Sequence, residues 1–251
     1  MTRIPLMIAA SALLLTSACN KKADPGTGAA GTATAVDPAA PKTAPNGDWS
    51  TYVTQTAAGG FVMGNPNAPA KLVEFGSMTC PHCAEFEELG GKPLVDNYVK
   101  SGQVSWEYRN FIRDSFDLSA ALVARCNGAK SFFGLTRALY AAQRDWVGKI
   151  QAVQPAELQK VMALPPQQQF PAIANAAALP QFAAQRGVPI AKSEACLANQ
   201  AEIDRLVQMT SDATAQYSIP GTPSFVLNGS LLDETAGWAA LEPKLKAAIK
   251  G

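Results

Sequence analysis

Histidine is almost missing from this chain of 251 residues: there is one, His82. Structural zinc sites need four ligands, usually supplied as two Cys or His pairs. Cys126 and Cys196 lie far from each other in sequence and make a poor second half for Cys80-Pro81-His82-Cys83. A c-type haem needs a histidine straight after the second cysteine of a C-x-x-C, and that position holds Ala84. No metal and no cofactor is therefore expected. An excess of one charge is missing too, with 21 Lys and Arg against 20 Asp and Glu. No basic cluster or aromatic-interleaved basic patch is visible, so there is no electrostatic case for nucleic acid as a partner. There is no internal repeat. After the first residues, no apolar run approaches the roughly 20 residues of a membrane span.

Residues 1–19 read as an export signal. Arg3 is the lone charge, Ile4 to Leu15 is an apolar run too short for a comfortable span, and Thr16-Ser17-Ala18 offers small residues for cleavage. Leu15-Thr16-Ser17-Ala18-Cys19 also resembles a bacterial lipobox, with Leu one place early and Thr16 in its usual slot. Lipidation would make Cys19 the first mature residue; plain cleavage with Cys19 incidental is the alternative. The segment that follows favours the lipid. Residues 20–48 are rich in Ala, Gly, Thr and Pro and cannot bury a core. Such a linker has an r.m.s. span on the order of 30 Å, enough to hold a domain clear of a membrane. The expected location is periplasmic, with membrane contact by the lipid anchor only. Loss of Arg3 with the signal leaves a neutral mature chain.

The remaining use of Cys80-Pro81-His82-Cys83 is dithiol–disulfide cycling, with a chance pair or metal remnant as the bland alternative. The flanks support cycling. Lys71-Leu72-Val73-Glu74-Phe75 has the pattern of a buried strand, and Cys83 to Leu89 that of a helix with an apolar stripe. Cys80 then stands at the helix N-cap, with Pro81 at the first helical position, where proline is favoured. Free N–H groups and the dipole at a helix N-terminus stabilise a thiolate, and His82 adds to this when protonated. Cysteines so placed have pKa values lowered from about 8.5 to roughly 3.5–7.5. Cys80 is expected to be the exposed, low-pKa thiol and Cys83 the buried one. Stabilising the reduced form makes the disulfide a stronger oxidant.

The folded part, residues 49–250, reads as one α/β domain. A short strand at Gly60–Gly64 and a turn at Asn65–Pro69 precede the strand at 70–76 and the motif helix. Gly90-Gly91 and Pro93 break or kink that helix, which resumes at Leu94. Gln103 to Ile112 alternates like a strand. From about 117 to 217 the spacing turns helical, with Leu118, Leu122 and Cys126 on one face and Leu158, Val161 and Met162 on a later helix. Asn228-Gly229 after Ser224–Leu227 marks a hairpin, and Trp238 to Ile249 a closing helix.

This order resembles the DsbA-like branch of the thioredoxin superfamily. The residues that carry the likeness are Gly64-Asn65-Pro66-Asn67-Ala68-Pro69, Val73-Glu74-Phe75, Cys80-Pro81-His82-Cys83, Ala124-Arg125-Cys126, Cys196-Leu197 and Gly221-Thr222-Pro223-Ser224-Phe225-Val226-Leu227-Asn228-Gly229. The resemblance implies a thioredoxin fold with a helical subdomain inserted between the third strand and the hairpin. It also implies a cis Pro223 facing the sulfurs, with the Thr222 backbone free to pair with a client segment. Thr222 stands where the best-known enterobacterial oxidases carry Val, which bears on partner choice and redox strength. Glu74 matches an acid that moves a proton to or from the second cysteine. A lone acid in a buried strand needs such a reason, unless it faces solvent. Cys126 and Cys196 match a pair found in several relatives and are the even remainder in an oxidising compartment. A disulfide is expected there, with two unlinked apolar cysteines as the alternative.

The activity implied is a thiol:disulfide oxidoreductase that donates the Cys80–Cys83 disulfide to unfolded or reduced exported proteins. A membrane quinone-linked partner of the DsbB type would reoxidise it. The same fold also serves reductases and isomerases kept reduced by a membrane donor. Isomerases usually carry a dimerisation domain where this chain has linker. A client-holding factor whose cysteines are secondary is a third possibility, and its activity would survive loss of Cys80.

Overall fold

A computed structural model describes residues 41–250 of the protein. The signal segment with Cys19, and linker residues 20–40, lie outside the described residues. Asp48 caps a short turn, its side chain accepting from the Ser50 N–H, and Trp49 just after it is buried.

The sheet has six strands: β1 Val53–Gln55, β2 Phe61–Gly64, β3 Ala70–Gly76, β4 Val104–Asn110, β5 Ser224–Leu227 and β6 Ser230–Leu231. Their spatial order is β1-β2-β4-β3-β5-β6. β3 is central, parallel to β4 and antiparallel to β5. The edge strand β1 adds to the three strands legible before the insertion. At three residues, it is too short for an alternating pattern to register. β3 is covered on both faces, as strands in parallel pairs are. Leu72 joins the main core, while Phe75 packs with Val226, Ala213 and Ile219 in a second cluster on the other side. Aromatic contacts fill the main core, among them Phe61 stacked on Phe132 at 4.2 Å and Trp106 against Phe133 at 5.0 Å.

The helix after β3 does not break at Gly90-Gly91. Helix α1 (Pro81–Phe86) runs into a π-helical turn at Glu87–Gly91, then α2 (Lys92–Leu94), then a second π turn at Val95–Val99. The backbone stays right-handed through Glu87 and Gly91. Pro93 lacks an N–H, and the wider turns absorb the missing bond without ending the helix.

Eight helices form the insertion: α3 Ser115–Arg125, α4 Ala129–Ala141, α5 Gln143–Gln151, α6 Pro155–Met162, α7 Pro166–Ala176, α8 Leu179–Ala184, α9 Ile190–Leu197 and α10 Gln200–Tyr217. The stripe on α6 meets the core only through half-buried Val161. None of its residues is buried, and Met162 is 42% exposed. Arg125 ties the insertion to the sheet side. It pairs with Glu202 at 2.5 Å, donates to Asn110 and the Gly59 carbonyl, and lies over the Phe61 ring. Asn228 and Gly229 both take positive φ, 49° and 87°, as the two-residue hairpin between β5 and β6 requires. Helix α11 (Trp238–Lys250) closes the chain. Among the described residues no helix is long and apolar enough to cross a membrane.

Candidate active site

Cys80 is the N-cap of α1, in extended conformation, with Pro81 opening the helix. Both Cys80 and Cys83 are free thiols. The expected exposure of Cys80 is corrected: it shows 3% of its surface, and Cys83 none. Cys80 lies beneath the 220–223 loop, where its thiol donates to the Thr222 carbonyl at 3.1 Å. Thr222-Pro223 is a cis peptide bond, so the loop and the motif, 142 positions apart, meet at the sulfur.

The two thiols are driven apart electrostatically. Cys80 is lowered to about 4. A hydrogen bond from the Cys83 thiol is the largest cause, and burial opposes it. The Thr222 side chain and the backbone N–H groups of Cys83 and His82 add to the lowering. The Thr222 hydroxyl is buried and has no hydrogen-bond partner among the described residues, although it lies near enough to the sulfur to favour the thiolate. The helix terminus thus acts on the sulfur as anticipated, and His82 contributes through its backbone, its imidazole being exposed. Cys83 is pushed well up, first by burial, then by the Cys80 thiolate and the charge of Glu74.

Glu74 sits on the central strand opposite Tyr108 of β4 and Phe225 of β5. It is 1% exposed, which removes the solvent-facing alternative, and it accepts from Trp106 Nε1 at 3.0 Å. Burial, then the charge of Glu87, raise its carboxyl well above the usual range. Glu87 is itself raised by burial, against the pull of Arg137 at 2.6 Å. A hydroxyl chain lies alongside. Tyr108 and Tyr140 share a hydrogen bond of 2.6 Å, and Tyr140 donates to the Ser77 carbonyl at 3.2 Å. Gly76 makes room for it, since a Cβ there would meet the Tyr108 hydroxyl at 2.5 Å.

Sequence reasoning missed Glu87, Arg137, Tyr140, Gln143 and Asp117. Glu87 lies four positions after Cys83 on a predicted helix, so it shared the Cys83 face and could have been found. Asp117, three positions after the cap residue Asp114, passes for a helix-start signal. Gln143 carries no local signal. An open groove of about 1160 Å³, lined by Pro81, His82, Glu85, Leu89, Arg137 and Arg144 among others, runs from the motif along α1. Cys126 and Cys196 form a disulfide between the end of α3 and α9, with Cα atoms 5.6 Å apart.

Residues 56–247 match the family described as Thioredoxin. A Rickettsia felis protein that carries the name protein-disulfide oxidoreductase is 28% identical over 170 residues, 67% of this chain and 53% of its own length. The chain thus spans about half the length of the curated relatives it matches. The crystal structure of a protein-disulfide isomerase from Novosphingobium aromaticivorans is 36% identical, covers 76% of this chain and 97% of its own, and superposes with a TM-score of 0.72. Wolbachia pipientis alpha-DsbA1 shares the fold at 18% identity, with a TM-score of 0.61 over 75% of this chain and 90% of its own. The chain belongs to the thiol:disulfide oxidoreductases of the thioredoxin superfamily.

Proposed function

We propose that the protein is an exported oxidase, which passes the Cys80–Cys83 disulfide to client proteins. The observation that carries this reading is the Cys80 thiol lowered to about 4. Those stabilising hydrogen bonds act on a thiolate that exists only after reduction. They therefore favour the reduced protein and make the disulfide a strong oxidant.

In the oxidised protein, a client thiolate attacks Cys80 Sγ. The Cys80–Cys83 bond breaks, a client–Cys80 mixed disulfide forms, and Cys83 leaves as a thiolate. Because its pKa is raised, that thiolate takes a proton, which Glu74 supplies from beneath the sulfurs. A second client thiolate then attacks the client sulfur of the mixed disulfide. Cys80 departs as the stabilised thiolate and the client leaves oxidised. Two electrons have moved to the protein. A membrane quinone-linked partner of the DsbB type takes them up and restores the disulfide. The Thr222 backbone pairs with the client segment, and the groove along α1 receives its flanks. Export, and anchoring through a lipid on Cys19, place the domain in the periplasm with its clients.

The Novosphingobium relative is named a protein-disulfide isomerase, and an isomerase must rest reduced. Thiol trapping in cells separates the two. Cys80 and Cys83 found mostly oxidised support the oxidase; found mostly reduced, they overturn it in favour of an isomerase or reductase.

A further inference from the structure

Two buried side chains of the insertion reach the turn before Cys80, and exchange at the sulfurs uses neither. Gln143, the first residue of α5, donates through Nε2 to the carbonyls of Met78 at 2.8 Å and Cys80 at 2.9 Å. Asp117, fully buried on α3, accepts the Met78 N–H at 2.7 Å and the Arg113 N–H at 3.0 Å. One carboxylate therefore joins the turn that carries the redox cysteine to the entrance of the helical insertion.

We propose that Asp117 is a positioning residue for exchange at Cys80: its ionised carboxylate, accepting from both backbone N–H groups, holds the Ser77–Thr79 turn, and protonation releases one of the two. A protonated carboxyl turns one oxygen into a donor, and the N–H that faced it loses its acceptor. The Cys80 sulfur then sits less firmly against the helix terminus and Thr222. The proposal rests on Cys80 as the attacking sulfur, and not on the direction of electron flow.

The surroundings place the change in a useful range. Burial raises the Asp117 carboxyl, and the charge of Asp114 at the cap of the same helix adds to it. The Ser77 hydroxyl and the N–H groups of Arg113 and Met78 act the other way. From β4, Tyr108 is also within reach of its charge. Burial prevails, and the group is lifted to about 7. Cys80, at about 4, is already thiolate there.

The test is the rate at which the reduced protein attacks oxidised glutathione from about pH 5.5 to 8.5, in single turnover. It is run for wild type and Asp117→Asn, each also in a His82→Ala background so that the imidazole cannot supply the pH dependence. If only Cys80 titrated, the rate would be flat. The expected wild-type profile climbs on the order of tenfold through a midpoint near Asp117's own value, as misplacement of a reacting group allows. Asp117→Asn stays at the lower plateau in both backgrounds. A limb that persists in Asp117→Asn overturns the proposal. So does carbon NMR of folded wild type in which the Asp117 carboxyl fails to titrate in this window, and that readout stands even if the variant does not fold. A protein that does not react with glutathione at any pH, although Cys80 is intact, would instead sink the assignment of Cys80.

Discussion

Two cysteine pairs lie in two regions of this molecule, and their burial runs opposite to their reactivity. Cys80 and Cys83 are free thiols at a strand-to-helix turn, and both are buried. Cys126 and Cys196 are bonded across 70 positions between two insertion helices, and both are half-buried. Exposure is therefore not what marks the reactive pair. Hydrogen bonding is: at Cys80 the Cys83 thiol first, then the Thr222 side chain and the N–H groups of Cys83 and His82, act on one sulfur. Cys126 and Cys196 instead sit at or near helix C-termini, the end whose carbonyls disfavour an anion. One region stabilises a thiolate, and the other stabilises a fold.

The sharpest way to break this comparison is to exchange the two losses. Cys80→Ser should abolish exchange with a model disulfide, by about a thousandfold or more, as loss of a nucleophile does. Turnover that survives would mean that the cysteines are secondary to client holding. The reduced wild type should also gain stability from the Cys80 thiolate above the ordinary thiol pKa, and lose it as pH falls toward about 4. Denaturant titrations of the reduced protein at several pH values, against Cys80→Ser, read that slope.

Replacing Cys126 and Cys196 together by Ser should give the mirror image. Opening a loop of 70 positions costs about 4 kcal/mol in the chain-entropy model. Exchange rates at a temperature where the variant is folded should stay within about twofold, since neither sulfur touches the redox turn. A large loss of rate in the folded variant would show that the insertion disulfide also tunes the site.

Glu74→Gln sharpens the electrostatic side. A carboxyl whose folded pKa is raised favours folding at low pH, and that contribution is lost as pH rises above its unfolded value near 4.3. The variant should therefore be more stable than wild type at pH 8, by about 1–2 kcal/mol, and equal to it in strong acid. Its exchange should slow by about tenfold or more, because the Cys83 thiolate loses its proton source. Thermal melts at two pH values and stopped-flow rates decide both halves. The smallest effect belongs to Thr222→Val, which removes the buried hydroxyl beside the Cys80 sulfur and keeps the backbone. The thiolate absorbance titration should move up by roughly one pH unit or less, with the fold unchanged.

The redox centre was the most legible part of the chain because its chemistry is local. A strand, a turn and a helix N-terminus between Ala70 and Cys83 set two thiols at a helix end, and distant Thr222 is then brought onto one of them. The strand at 70–76, the Asn228-Gly229 hairpin and the helical texture of the insertion were readable for the same reason. Each is written in a period or a turn residue. Features that depended on distant parts of the chain were not. The burial of Cys80 comes from a loop 142 positions away. The two π turns carry the helix through Gly90, Gly91 and Pro93, where sequence signals alone suggest an interruption.

What the sequence by itself determined, then, was a pair of thiols at a strand-to-helix turn, the polarity of the helix that favours one of them, and the likeness to a family. Only the tertiary structure decided how strongly the two thiols differ. Burial and hydrogen bonding are properties of surroundings, and here Glu87, Arg137, Tyr140, Gln143 and Asp117 reach the motif from along its own helix and from helices 30 or more positions away. A carboxylate in α3 reads as part of a helix start until the chain folds it beneath Met78, where water is excluded and its charge bears on a neighbouring backbone.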